Sequence, residues 1–210
     1  MLSNVQTSKT IKSTKEKILE AALELISRYG YKGASVRKIA KAVGVRESAI
    51  YNHFKNKDEI FQEILKSLFS SDFSDFFEKK PIEENAKKGK KFLMEYAATV
   101  KLATFDPKHE KLFKIVLLEL MQNKEVREQF LNYFYDNNIK KLSHVLFLMM
   151  QEGLIRQSDP MLMAREFFAP LFYLRLEVTL LRVDEKSTVT LSTMFEKHVE
   201  FFWESVAVRA

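Results

Sequence analysis

A chain of 210 residues is long enough for one large core, or for a small domain beside a larger one, and 46% hydrophobic with 30% charged residues is an ordinary globular composition. The absence of cysteine excludes disulfides, thiol catalysis and thiolate metal sites. The formal charge of +6 lies wholly in the first third: residues 1–66 hold 13 Lys and Arg against 7 Asp and Glu, whereas residues 67–210 hold 21 of each. Such asymmetry favours a polyanion bound by one end of the molecule.

Five Gly and four Pro leave little room for extended loops and predict helices nearly end to end. No apolar stretch suits a membrane span. The first ten residues lack the basic-then-apolar pattern of a secretory signal, so a cytoplasmic location is expected. Residues 1–12 are polar and aperiodic and read as a flexible arm. Ser13 and Glu16 have capping-box spacing, and Ile18, Ala22, Leu25, Ile26 and Tyr29 recur on one face, predicting a first helix that runs to Gly30. Ser35 caps a short second helix with Val36, Ile39, Ala40 and Val43 as its apolar stripe. Gly44 ends that helix where a left-handed residue costs nothing sterically. Arg46 to Phe54 forms a third helix that turns Ile50 and Phe54 inward. Helices this short need one another's apolar faces, so residues 13–56 are expected to form a helix-turn-helix head.

Residues 57–210 are expected to form a separate helical body. Its first helix opens at Lys57-Asp-Glu, carries Ile60, Phe61, Ile64, Leu65 and Leu68, and reaches as far as Phe77 before Pro81 stops it. Further helices are predicted at 83–104, 107–121, 124–152, 160–182 and 188–207. Asp106-Pro107 and Asp159-Pro160 each put a capping residue directly before proline, and Gly153 is a plausible terminator. The expected fold class is all-α, with about nine helices in total.

A helix that enters the DNA major groove must present short or polar side chains at its start. Arg46, Glu47, Ser48, Ala49 and Asn52 occupy that turn. Arg46 suits guanine O6/N7 or a phosphate, Glu47 can accept from cytosine N4, Ser48 and Ala49 permit close approach, and Asn52 offers polar readout. Ser35 lies at a helix N-terminus, where free N–H groups and a hydroxyl can hold a phosphate. Lys38 and Lys55 add weaker, salt-screened attraction.

The last two predicted helices are apolar on more than one face, through residues that include Phe168, Leu171, Phe172, Leu191, Phe195 and Phe202. A second protomer would cover the surplus and match a twofold operator; packing of the same helices within one large core is the competing reading. Catalysis finds no support. His53, His109, His144 and His198 are widely separated, and there is no phosphate-binding glycine loop, Gly-x-Ser-x-Gly elbow or metal-ligand spacing. No cofactor and no metal are expected.

The segments Ile18-Leu-Glu-Ala-Ala-Leu-Glu-Leu-Ile, Gly30-Tyr-Lys-Gly-Ala-Ser-Val, Ile39-Ala-Lys-Ala-Val-Gly-Val and Ile50-Tyr-Asn-His-Phe-Lys-Asn-Lys-Asp-Glu-Ile resemble the TetR family of transcriptional regulators. The resemblance covers roughly a quarter of the chain, and beyond residue 66 only length and helical character agree. It implies a homodimer on a palindromic double-stranded DNA operator, usually repressing, and released by a small molecule that enters the body. It assigns Tyr51, His53 and Lys57 to phosphate contacts. Glu47 departs from the basic residue frequent at its position, which bears on sequence preference. The resemblance also implies an effector pocket, expected along Phe92, Tyr96, Leu117, Met121, Phe134 and Met149, with Tyr133, Asn137 and Gln151 as polar orienters. Balanced charge in the body suggests a largely apolar effector. A body that binds a protein partner instead is the alternative.

Overall fold

The computed structural model describes residues 12–69, 76–77, 79 and 81–208. Among these the chain is helical almost throughout, and the only β pairing is an isolated bridge between Ile155 and Ala207. The chain divides into two compact units, Met1–Ile64 and Leu65–Ala210. The arm expected at 1–12 lies, apart from Lys12, outside the described residues.

In the first unit, α1 (Thr14–Gly33) starts from the predicted capping box. The Ser13 N–H donates to Glu16 Oε2 at 2.7 Å, and the Glu16 N–H donates to Ser13 Oγ at 3.2 Å. The Ser13 N–H is the main reason the Glu16 carboxyl titrates below its ordinary range. Ile18, Ala22, Leu23 and Ile26 form the buried face. Gly30 breaks the regular helix with φ 71° and ψ 171°, so the last residues of α1 form a turn after a kink. Helix α2 (Val36–Val43) is capped by Ser35, whose Oγ accepts from the Lys38 N–H, and buries Ile39 and Ala40. Gly44 adopts φ 79° and donates to Ala40 O and Lys41 O, and the Val45 N–H returns to Ala40 O at 3.0 Å. This closing pattern satisfies carbonyls that the helix end leaves open and requires the left-handed conformation. Helix α3 is shorter than the predicted 46–54 run: it spans Glu47–Tyr51, with Arg46 as N-cap and Asn52 as C-cap. Ile50 and Phe54 are buried as expected. Helix α4 (Lys57–Phe69) buries Ile60, Phe61, Ile64 and Leu65 and carries the boundary between the units. Its predicted continuation toward Phe77 passes through residues outside the description.

In the second unit the helix predicted at 83–104 is two: α5 (Ile82–Lys87) and α6 (Lys90–Phe105). Gly89 separates them with φ 54°, and a Cβ there would sit 3.3 Å from the Trp203 ring. Helices α7 (Pro107–Glu119) and α8 (Lys124–Asn132) begin at Asp106 and Asn123 caps. The run 124–151 is continuous, as predicted, but its middle, Tyr133–Lys140, is a π-helical turn between α8 and α9 (Lys141–Gln151). Gly153 follows with φ 69°. Helix α10 (Pro160–Val183) starts from the Asp159 cap, and a 3₁₀ turn at Val189–Thr193 leads into α11 (Met194–Val206). Counting 124–151 once, there are ten helices among the described residues, close to the expected number. The core of this unit sits where α10 meets α6, α9 and α11. Phe92, Tyr96, Leu146, Met149, Phe167, Leu171, Phe195 and Phe202 fill it. Each large side chain so buried contributes about 1.5–3 kcal/mol. Among the described residues no helix is long and apolar enough to cross a membrane.

Candidate functional site

The turn at Gly44 and the short helix behind it leave one face of the first unit open. Arg46, Glu47 and Ser48 are exposed and Ala49 is half-buried, while Tyr51, Asn52 and His53 project to solvent on the next turn. Tyr51 keeps 54% of its surface, a large ring left mostly open to solvent. Ile50 at 1% and Phe54 at 2% anchor the same helix from below. From Arg46 to His53 the side chains placed for base and phosphate contact are exposed or half-buried, and the buried ones, Ile50 and Phe54, are those that hold the helix in place. Arg46 makes no side-chain capping bond, so the guanidinium is not spent on the helix it precedes.

The three lysines differ. Lys55 is exposed, and only its backbone N–H is engaged, with Glu59 Oε2 at 2.5 Å. Lys38 is exposed but directs its ammonium to Gly33 O at 2.7 Å, 5.6 Å from the Tyr29 ring centre. Lys57 departs most from the expectation of an outward phosphate contact. Its ammonium donates to Tyr31 O at 2.9 Å and Ala34 O at 3.0 Å and lies 3.8 Å from the Tyr31 ring centre. Two of the three ammonium donors thus pin the connection between α1 and α2. Tyr31 is held from the other side by its hydroxyl donating to Asp58 and by ring contact with Phe61 at 4.7 Å. Ser35 spends its oxygen as an acceptor from the Lys38 N–H and keeps its hydroxyl proton for another partner.

Of the residues expected to line an effector pocket, Phe92, Tyr96 and Met149 meet in the interior of the second unit, with Tyr133 and Phe134 packed against them. Leu117 is half-buried, and the side chain of Asn137 lies outside the description. Met121, at 88% exposure, and Gln151 stand on the surface and do not join this group. Met121 falls beyond the end of α7, and Gln151 closes α9 on its outer side. The polar residue that does reach the interior is Asn138, 3% exposed, whose Oδ1 accepts from the Tyr96 hydroxyl at 3.0 Å. A π turn holds more residues per turn than an α-helix, so the inward position is displaced from a regular count. Burial drives the Tyr96 phenol well above its ordinary pKa, so it is a neutral donor.

A second polar group in this unit was missed from sequence. Arg175 of α10 stacks on the Phe113 ring at 4.3 Å, and its Nε is fully buried with no hydrogen-bond acceptor. Burial lowers its pKa to about 10. Its position inside a run of Leu and Phe is the sequence signal that would have found it.

The residues expected at a subunit interface lie largely in the interior of one protomer. Phe168, Leu171, Phe195 and Phe202 are at most 6% exposed within one protomer, and Phe172 and Leu191 pack against the same core. Helix α10 packs against α6, α9 and α11, which together cover most of its apolar surface. What remains outside is a different stripe: Leu162, Ala169, Tyr173 and Leu180 on α10, with Phe201 on α11 at 73% exposure. A groove of about 310 Å³ runs beside it, lined by Arg156, Leu162, Glu166, His198 and Phe201 among others. His198 Nε2–H donates to Phe167 O at 2.8 Å, and burial lowers its pKa.

An all-α chain with an open helix-turn-helix face defines the class of helix-turn-helix regulators. The model of bacterial regulatory proteins of the tetR family matches residues 18–64. The fatty acid metabolism regulator protein of Bacillus subtilis is 32% identical over 156 residues, 71% of this chain and 74% of that protein. The regulator AcrR of Shigella flexneri is 44% identical over only 59 residues, 27% of its length. Among solved structures, FadR of Bacillus subtilis in complex with stearoyl-CoA superposes with a TM-score of 0.62 at 27% identity, covering 89% of this chain and 96% of FadR. The chain belongs to the TetR family of transcriptional regulators.

Proposed function

We propose that the protein represses transcription as a homodimer on a palindromic operator in the cytoplasm and releases DNA when an acyl compound enters the second unit. The open face from Arg46 to His53, on a head that holds the chain's whole formal charge excess, carries this reading. Ser35, Tyr51, His53 and the surrounding lysines clamp phosphates, while Arg46, Ser48, Ala49 and Asn52 meet base edges, with Glu47 selecting cytosine. The acyl class of effector is supported by the name of the Bacillus subtilis relative, by the stearoyl-CoA held by FadR, and by the aromatic interior of the second unit. The exposed stripe on α10 and α11 is the surface that a second copy covers. Two heads joined in this way address half-sites one helical turn apart, roughly 34 Å. Effector binding weakens both half-sites together by altering the dimer that presents them.

The test selects duplexes from random DNA with the full-length protein and measures affinity for the winner by anisotropy. Tyr51→Ala with His53→Ala is expected to weaken binding about tenfold or more, with unchanged helicity. Lauroyl-CoA is expected to dissociate the wild-type complex. Failure to enrich any duplex would remove the regulator reading, and a complex indifferent to acyl compounds would remove the effector assignment.

A further inference from the structure

A buried cation without a counter-ion is costly, and structures rarely keep one that nothing uses. Arg175, half-buried as a residue but with its Nε wholly shielded from solvent, is such a group. Among the described residues its Nε has no acceptor, and its one hydrogen bond is a long contact from Nη2 to His109 O at 3.4 Å. The acids nearby are taken: Glu110 pairs with Lys114 at 2.7 Å and with Arg182, and Asp106 accepts from the His109 N–H and ring at 2.8 Å. Both carboxyls accordingly titrate below their ordinary range; the His109 N–H is the main cause for Asp106, while for Glu110 burial is outweighed by Lys114 and Arg182. Among the described residues, the phenol of Tyr133 on the π turn is the other titratable group that bears on Arg175.

A row of rings starts at the same point. Phe113, under the guanidinium, meets Phe172 at 5.7 Å; Phe172 meets Phe134 at 5.6 Å; Phe134 meets Phe168 at 4.9 Å; and Phe168 meets Tyr96 at 6.2 Å. Four helical elements contribute, α6, α7, α10 and the π turn, and a π turn inside a longer helix is frequent at functional sites. The layout is a cationic end followed by an apolar track.

We propose that Arg175 is the head-group anchor of the effector site, receiving the anionic end of a long-chain acyl compound whose chain lies along Phe172, Phe134 and Phe168. This inference rests on the acyl reading of the effector and adds the residue and the charge that recognise it. The same chemistry has two sources, the carboxylate of a free fatty acid and the phosphate-bearing head of an acyl-CoA. Arg is suited to both because its planar fork donates two parallel hydrogen bonds.

Calorimetry on the full-length protein with laurate, lauroyl-CoA and methyl laurate tests it. Wild type is expected to bind at least one of the two anionic compounds about tenfold or more tighter than the neutral ester, and which one identifies the head. Arg175→Met, of similar length and uncharged, is expected to erase that preference while ester binding and the ligand-free Tm hold. Should Arg175→Met fail to fold, Arg175→Lys is read in its place and is expected to reduce the preference. Equal wild-type affinity for acid, thioester and ester, or a preference that survives in the variant, overturns the Arg175 assignment alone. Wild type that binds none of the three overturns the acyl effector reading and Arg175 with it.

Discussion

Lys57 shows how one side chain can carry a family's position and still do something local. Its ammonium ties two backbone carbonyls at the α1–α2 connection and lies over Tyr31. Hydrogen bonds to a charged donor contribute about 1.5–3 kcal/mol, so Lys57→Met is expected to lower the urea midpoint of the head by a stability loss of that order. An unchanged midpoint with weakened DNA affinity would return Lys57 to a purely phosphate-binding role. His198 makes a separate prediction. Burial depresses its folded pKa below the unfolded value of 6.5, so the unfolded chain binds the extra proton first. Stability contributed by neutral His198 is present above pH 6.5 and is lost as pH falls through the lower folded value. Urea titrations between pH 7.5 and 5 are expected to show this slope, and His198→Gln to reduce it. At this scale the sequence was legible where a side chain's duty is local: Ile50 and Phe54 are buried as their spacing implies, and Tyr51 and His53 between them are exposed. Arg175 and Lys57 were not legible, because what each ammonium or guanidinium reaches depends on chain brought from far away, Phe113 and Tyr31 respectively.

Helix ends were read well and helix interiors less so. Ser13, Ser35, Asp106 and Asp159 all cap as their sequence context predicts, since a cap is decided within four residues. Gly44 is the sharpest case: its φ of 79° puts any β-carbon in a left-handed conformation that costs about 1–2 kcal/mol. Gly44→Ala is expected to destabilise the head by that amount in urea unfolding and to weaken operator affinity by misplacing α3. A variant as stable as wild type would show the turn to be indifferent to its hand. The break at Gly89 and the π turn at Tyr133–Lys140 escaped the periodicity argument for a physical reason. Neither changes the run of apolar residues; both alter the phase between them, which only packing reveals. That phase decides that Asn138 reaches the Tyr96 hydroxyl.

For the whole molecule, hydrophobic density on the last two helices had two explanations, and the interior of one protomer claims most of it. Counting apolar residues cannot separate a core from an interface, whereas exposure can. The uncovered residues Leu162, Tyr173, Leu180 and Phe201 are the ones a second copy is proposed to bury. Tyr173→Glu with Phe201→Glu is expected to give monomers by sedimentation, with helical content retained and operator affinity reduced about a hundredfold or more, because each head then pays its own cost of ordering on DNA. A dimer of unchanged strength would place the interface elsewhere. A five-residue helix held from below by Ile50 leaves its upper side exposed, and that side is the one proposed to meet a duplex. Hydrogen exchange of the full-length protein with and without selected operator measures that arrangement directly. Slowed exchange concentrated at residues 35–38 and 46–55 is the predicted result; protection confined to the second unit, with those amides unchanged, would contradict it.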